Sequence, residues 1–328
     1  DVFLKGEGTF PKRPELSVNL KTANGIPIAS VSPHDVGQVQ NVQIYYSINP
    51  HSLTRFWRRA ATAKHRNNWV AHLPILSTDM PLFVMANVEY PQPQKLIGSR
   101  HMGNSPDNFL VSTWETIIDP PTLKTAGVRA IDRPDRIIQR SFDDWGDWYQ
   151  VRWSNHQHAV AGTRKLTDPK WRGPDGATLS IDVKDPQGGY FLMAFDVNNW
   201  GAYPGLAKGG YYCVKALAKT EDWQTVTIKL SDLKPRGSGI SDRPKSWQGI
   251  TELQIVAGLH RIPGEEKTIL SGGTWPGKRE LRNLQWIGGK YSSPLLYPGG
   301  KLSIEEFQKI FQADIDKSIE LEIHDTQK

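Results

Sequence analysis

Along the first third of the chain, apolar residues come in short bursts set apart by turn formers: LSVNL, IPIASV, VQIYYSI, WVAHLPI and LFVMANVEY, between Glu15 and Tyr90. Bursts of this length, rich in Val, Ile, Tyr and Phe and spaced by Asn-Gly, Ser-Pro and Asn-Pro, predict a small antiparallel β-sandwich over residues 1–90. Within it, Thr54 to Lys64 breaks the alternation, and the helix formers of RFWRRAATAK predict a helical or looping insertion. Residues 91–127, with PQPQ, NSPDN and DPP, read as a connector whose middle, FLVSTWETII, is apolar enough to pack as a strand.

The strand pattern returns from Val128 to about Gly289 with more aromatic content: RIIQRSF, WYQVRW, ATLSIDVKD, YFLMAFDV, YYCVKALA, WQTVTIKL, ITELQIVAGL and LRNLQWIGG. The number and spacing of these segments fit a two-sheet jelly roll over residues 128–290. No amphipathic helix falls between consecutive strands, which disfavours a parallel α/β fold. In the remainder, 291–328, Ile304, Phe307, Ile310 and Phe311 share one helical face behind Ser303 as N-cap, so a C-terminal amphipathic helix is expected over Leu302 to Ile315. The fold class is therefore all-β: two sandwiches and a closing helix.

Composition removes several classes. The 328 residues include 29 Gly without a three-residue period, and 12 Trp, 10 Tyr and 10 Phe, which excludes collagen and wholesale disorder. No stretch approaches a membrane span, and DVFLKGEGTFPKRP lacks the apolar core of a signal peptide. Beginning at Asp1 rather than Met, the chain reads as a processed or excised piece. The single Cys213, in an apolar-alternating run, makes no internal disulfide and reads as a small core residue. Lys and Arg outnumber Asp and Glu by 40 to 34, a net charge of +6, which favours acidic partners without naming one. The densest basic cluster, Arg55, Arg58 and Arg59 beside Phe56 and Trp57, comes with no DNA- or RNA-binding motif, so no nucleic acid is expected as partner.

The chemistry is marked first by what is missing. There is no G-x-S-x-G elbow, no phosphate-binding G-x-x-x-x-G-K-[ST], no H-E-x-x-H and no C-x-x-C, so no catalytic residue is assigned. The densest informative segment is SFDDWGDWYQVRW, where Asp143, Asp144 and Asp147 alternate with Trp145, Trp148, Tyr149 and Trp153. Sugars present flat C–H faces that stack on aromatic rings and hydroxyl rims that take carboxylates, amides and guanidinium groups, so this mixture suits a carbohydrate platform. Strand alternation puts Trp148, Gln150 and Arg152 on one face and Tyr149, Val151 and Trp153 on the other; the second set is more apolar and is expected in the core. A second cluster, Asn198, Asn199, Trp200 and Tyr203, falls in a Gly/Pro-rich loop after a strand. His156 and His158 would point to one side of a strand and could hold a metal, but no third ligand is identifiable. Two of Asp143, Asp144, Asp147, Asp182 and Asp196 could serve a paired-carboxylate hydrolase, with the deciding separation unreadable from sequence. GKLSIEEF mimics the second half of an EF-hand loop, yet LLYPG before it lacks the carboxylates that calcium needs.

Two resemblances attach to these residues. The run from GATLSIDVKD through YFLMAFDVNNW, YYCVKALAKTEDWQTVTIKLSDL and ITELQIVAGL to LRNLQWIGG resembles the galactose-binding-like jelly roll of carbohydrate-binding modules, with Phe142 and Trp145 or Trp148 as the opening F-x-x-x-W element and Trp223 to Leu233 as its late strand. That likeness implies sugar binding and makes a structural calcium ion plausible, with Asp143 or Asp144 as ligands. VQIYYSINPHSLTRFWRRA, NNWVAHLPI and PLFVMANVEYP are similar to the region after the catalytic domain in secreted bacterial α/β-hydrolase-like proteins of the PhoPQ-activated pathogenicity-related type. This implies a fibronectin-type-III-like sandwich with Trp57 and Trp69 in its core, an upstream hydrolase as partner and a secreted or periplasmic location.

The expectation is a non-catalytic accessory region that holds a hydrolase near polysaccharide, acidic polysaccharide included. Its ligand residues would be Trp145, Trp148, Arg152, Asn198, Asn199, Trp200 and Tyr203, with Arg152 pairing a uronate or sulfate. The alternatives are a polysaccharide-active enzyme using carboxylates or histidines, and a structural docking module.

Overall fold

Short alternating bursts become strands because alternation turns one face of a strand to the core, and every ladder between named strands is antiparallel. The computed structural model describes residues 11–50, 52, 54–92, 107–151, 160–198, 208–236, 244, 246–261, 268–271 and 279–291. The chain divides into two units: residues 1–48 with 57–133, and residues 49–56 with 134–328.

The first unit contains β1 (Glu15–Asn19), β2 (Ile28–Ser32), β3 (Asn41–Ser47), β4 (Arg58–Arg59), β5 (Thr62–His65), β6 (Asn68–His72), β7 (Leu82–Pro91), β8 (Asn108–Ser112) and β9 (Thr116–Ile118). One sheet runs β1-β2-β6-β5; the other runs β4-β3-β7-β8, with β9 also on β7. Val42, Ile44 and Tyr46 of β3 and Val84, Ala86, Val88 and Tyr90 of β7 are buried at alternate positions, as are Trp69 and Ala71 of β6.

The helical form of the insertion expected over Thr54 to Lys64 is corrected: β4 and β5 lie there, with loop residues before and between them. Arg58 pairs with Tyr46 across the ladder, and its buried guanidinium meets Asp132 at 2.8 Å and the Tyr46 ring at 5.6 Å. Beyond it, β5 folds back on β6 through a turn with Arg66 at φ 57°. Ladder bonds and a buried ion pair outweigh helix propensities of a few tenths of a kcal/mol per residue.

In the stretch read as a connector, β8 and β9 pair with β7, and a helix, α1 (Pro120–Thr125), follows. The Asp119 side chain accepts the Thr122 N–H at 2.7 Å, prolines occupy its first turn, Leu123 is its buried anchor, and Gly127 at φ 75° lies just past its end. The predicted C-terminal helix lies outside the described residues. No helix among the described residues is long and apolar enough to cross a membrane.

The second unit contains β10 (Ile137–Ser141), β11 (Tyr149–Val151), β12 (Val160–Thr163), β13 (Thr178–Asp185), β14 (Gly189–Val197), β15 (Gly209–Leu217), β16 (Thr220–Ile228), β17 (Lys234–Pro235), β18 (Ile250–Val256), β19 (Gly258–Arg261), β20 (Thr268–Ser271) and β21 (Glu280–Ile287). A four-stranded sheet runs β10-β21-β13-β16, a six-stranded sheet runs β11-β12-β18-β14-β15-β17, and β19 pairs with β20. The first two share one core, to which Leu179, Ile181, Val183 and Trp286 come from the smaller sheet and Phe191, Met193, Phe195, Leu253 and Ile255 from the larger. Trp247 and Trp286 meet at 5.1 Å between ring centroids, and their indole N–H groups donate to the carbonyls of Ala177 (2.6 Å) and Trp171 (2.9 Å).

The central strands of the larger sheet, β14 and β18, are buried on both faces. Leu192, Ala194 and Val256, with Tyr212 against them, form a second cluster on the face away from the main core. Polar side chains on that second face set up the candidate site.

Candidate functional site

The side chains of the acidic and aromatic segment make local contacts within the fold. Asp143 bonds the Ser141 hydroxyl, and Asp144 accepts the Gly146 N–H at 2.8 Å, so both exposed carboxylates close local turns. Among the described residues no three His, Cys, Asp or Glu side chains are grouped so as to hold a metal. Trp145 and Trp148 pack on Phe142, with ring centroids 4.8 and 5.4 Å from it, against the main core. Asp147 meets the buried Lys165 at 2.8 Å, and that ammonium lies 4.4 Å from the Trp171 ring centroid.

The face assignment of this segment is corrected. Tyr149 lies opposite Gly162, and Gly162 opposite Gln254, which puts Tyr149 on the second face of the larger sheet. Trp148, one residue earlier, turns to the core. Trp148 and Tyr149 thus exchange the faces expected of them, with Trp148 joining Phe142 and Trp145 against the core.

Three polar residues stand together on the second face: Asp196 on β14, Glu252 directly opposite it on β18, and Gln254 two residues on along the same strand. They are 8%, 4% and 7% exposed. The Gln254 amide NH2 donates to both carboxylates, to Asp196 at 3.4 Å and to Glu252. Arg236, just after β17, pairs with Asp196; Arg164, just after β12, donates to Glu252 at 3.3 Å, and the Tyr149 hydroxyl also bonds Glu252. Local structure fits the cluster. The β14–β18 register shifts between Asp196 and Val197, and the Thr251 hydroxyl fills the irregularity by donating to the Asp196 carbonyl at 3.1 Å. Gly162 gives the Tyr149 ring its place, since a Cβ there would lie 2.8 Å from the ring carbon bearing the hydroxyl.

The electrostatics follow from burial. Desolvation pushes the Asp196 carboxyl above the usual carboxylate range, the neighbouring Glu252 adds to it, and the Arg236 guanidinium opposes both. Burial, then Glu252, push the Tyr149 hydroxyl well above its ordinary value, so it remains a donor throughout the physiological range. Two carboxylates face two guanidiniums.

Two polar atoms of the cluster are buried without a hydrogen-bond partner among the described residues: Gln254 Oε1, an acceptor, and Arg236 Nε, a donor. Turning the amide over would set its oxygen against two carboxylates, so its orientation is fixed. At the other end of the same face, Tyr190 and Val214 are exposed at 47% and 45%. Between them and the polar cluster the face is closed by the buried Leu192 and Ala194.

Of the residues singled out from sequence, Asn198 follows β14 directly, buried and at φ 45°, two positions past Asp196. Arg152, His156, His158, Asn199, Trp200 and Tyr203 lie outside the described residues. Sequence reasoning missed Tyr149, Arg164, Arg236, Glu252 and Gln254, and took Asp196 only as one carboxylate among five. The signal was present: charged and amide residues interrupt FLMAFDV and ITELQIV, strands otherwise apolar enough for burial on both faces.

No family model matches the chain, and no curated protein matches it. Among solved structures, the N-terminal CBM22-1–CBM22-2 tandem domain of Paenibacillus barcinonensis Xyn10C is similar at 8% identity, covering 87% of this chain and 95% of that one, with a TM-score of 0.26.

Proposed function

We propose that this chain is a non-catalytic carbohydrate-binding region whose ligand lies on the second face of the larger sheet. One observation carries the reading: a buried constellation of carboxylates, guanidiniums, an amide and a phenol in which an acceptor and a donor are left unmet. Orphan polar atoms of this kind cost about 1–3 kcal/mol each, and a ligand rich in hydroxyls satisfies both at once. Exposed Tyr190 supplies a ring for stacking. The loop after β14 would bring Asn199, Trp200 and Tyr203 to the ligand, and Arg152 would join from the segment after β11. Trp145 and Trp148 would contribute at most their exposed edges.

In the finer reading, residues 1–90 are a fibronectin-type-III-like sandwich, 91–127 join it to a jelly roll over 128–290, and 291–328 close the chain. The whole would hold an upstream hydrolase near polysaccharide outside the cell. Affinity electrophoresis tests the binding claim. Soluble polysaccharides in the gel should retard the chain, and Trp200→Ala should lose that retardation; unchanged mobility of the native protein across a broad polysaccharide panel contradicts the proposal.

A second reading is favoured by one specific feature. Asp196 and Glu252 sit directly opposite on paired strands, where Cβ atoms lie about 5 Å apart, and one Gln254 amide nitrogen reaches both carboxylates, which brings them close enough for a paired-carboxylate glycosidase. Both carboxylates are engaged by arginine, which works against an acid held ready to protonate a leaving group. Release of reducing ends from a retarding polysaccharide, abolished in Glu252→Gln, would establish this reading in place of the first.

A further inference from the structure

From the way charge is distributed over the cluster, we infer that the site takes an uncharged, hydroxyl-bearing glycan and rejects uronates and sulfated sugars. The inference rests on the carbohydrate-binding reading and narrows its ligand, against the acidic polysaccharide that the net charge suggested.

The charged groups of the cluster already have partners inside the protein. Asp196 is held by Arg236, Glu252 by Arg164 and by the Tyr149 hydroxyl, and both carboxylates by the single Gln254 amide. A carboxylate or sulfate accepting from Arg236 or Arg164 would share the guanidinium with Asp196 or Glu252 and lie beside that like charge, and it would gain no net attraction because two carboxylates already offset the two guanidiniums. A neutral hydroxyl asks for no counter-ion, and it meets the two buried atoms once the side chains over them part. It donates its hydrogen to Gln254 Oε1, and a hydroxyl or ring oxygen of the same ligand accepts from Arg236 Nε.

Geometry supports access from the arginine side. Relative exposure rises from 5% at the Glu252 side chain and 11% at Asp196 to 22% at Arg236 and 35% at Arg164. Arg236 is seated close to the backbone of β15, since a Cβ at Gly210 would come within 2.6 Å of its Nε. Gly210 thus leaves room for the Arg236 guanidinium, and Gly210 and Gln254 become determinants of specificity. The overall charge of +6 then acts only as long-range attraction that salt screens, distinct from recognition in the site.

The full chain is run in native gels containing β-glucan, galactomannan or arabinoxylan, and in parallel gels containing polygalacturonate or alginate, at low salt and at about 0.5 M salt. Retardation by at least one neutral polysaccharide should survive high salt, and any retardation by the acidic ones should vanish. Arg236→Lys keeps a cation beside Asp196 but removes the Nε donor, and Gln254→Leu removes the acceptor, together with the amide donor shared by the two carboxylates, at similar volume. Each should weaken neutral binding by about tenfold or more, with a thermal melt confirming that the variant is folded. Acidic polysaccharide binding that persists at high salt overturns the inference while leaving carbohydrate binding intact. So does neutral binding that a folded Arg236→Lys protein retains in full. No retardation by any of the polysaccharides overturns both.

Discussion

Tyr149 and Trp148 show how one residue's position decides what the site can be. Both are large aromatics in a strand pattern, and alternation correctly separates them, yet nothing local says which face meets the core. That is settled by Phe142 and Trp145, which offer Trp148 an aromatic pocket, and by Gly162, which leaves a flat bed for Tyr149. Gly162 yields a sharp prediction. Gly162→Ala places a methyl group 2.8 Å from the Tyr149 ring and should destabilise the second unit by about 1–3 kcal/mol, measured by urea denaturation. It should also weaken glycan binding, because Tyr149 can no longer hold Glu252. Cys213 behaves as its sequence pattern suggests: it is buried, and desolvation pushes its thiol up to about 11.

At the scale of elements, strands with clean alternation such as β3, β7 and β13 are legible from the chain. Other elements are not, for identifiable reasons. The β4–β5 segment carries helix formers and folds as strands because Arg58 finds Asp132, far away in sequence. α1 was legible and overlooked: Asp-Pro-Pro followed by Leu123 and Gly127 is a cap, a first turn, an anchor and a stop. Asp119→Ala should cost about 1 kcal/mol of the first unit's stability in chemical denaturation. Hydrogen bonds from Thr122 hold the Asp119 carboxyl below its ordinary value of 3.8. Its contribution is therefore complete above that value and is lost as pH falls through the lowered one, so the native chain and the variant should converge in stability in strong acid. β14 and β18 mark the limit of periodicity: buried on both faces, they read as apolar runs, and the informative residues are the polar exceptions within them.

For the whole molecule, the all-β class and the sandwich character of the second unit follow from strand length, spacing and the absence of interleaved helices. The candidate site did not follow in the same way, because it is assembled across strands from residues as far apart in sequence as Tyr149 and Glu252. No linear motif encodes such a set; only register brings it together. The acidic and aromatic segment that dominates the sequence packs Trp145 and Trp148 against the main core, and the orphaned polar atoms lie on the opposite face of the larger sheet. Net charge does not describe the candidate site, since the arginines of the cluster are already matched by its carboxylates.

The most direct test is isothermal titration of the full chain with neutral hexasaccharides, cellohexaose, xylohexaose and mannohexaose, beside the same titrations of Gln254→Leu. The account predicts binding of at least one of them to the native protein at a single site on the second unit, weakened by about tenfold or more in the folded variant. Equal affinity in the two proteins, or no binding of any of the three by a folded native chain, would contradict it.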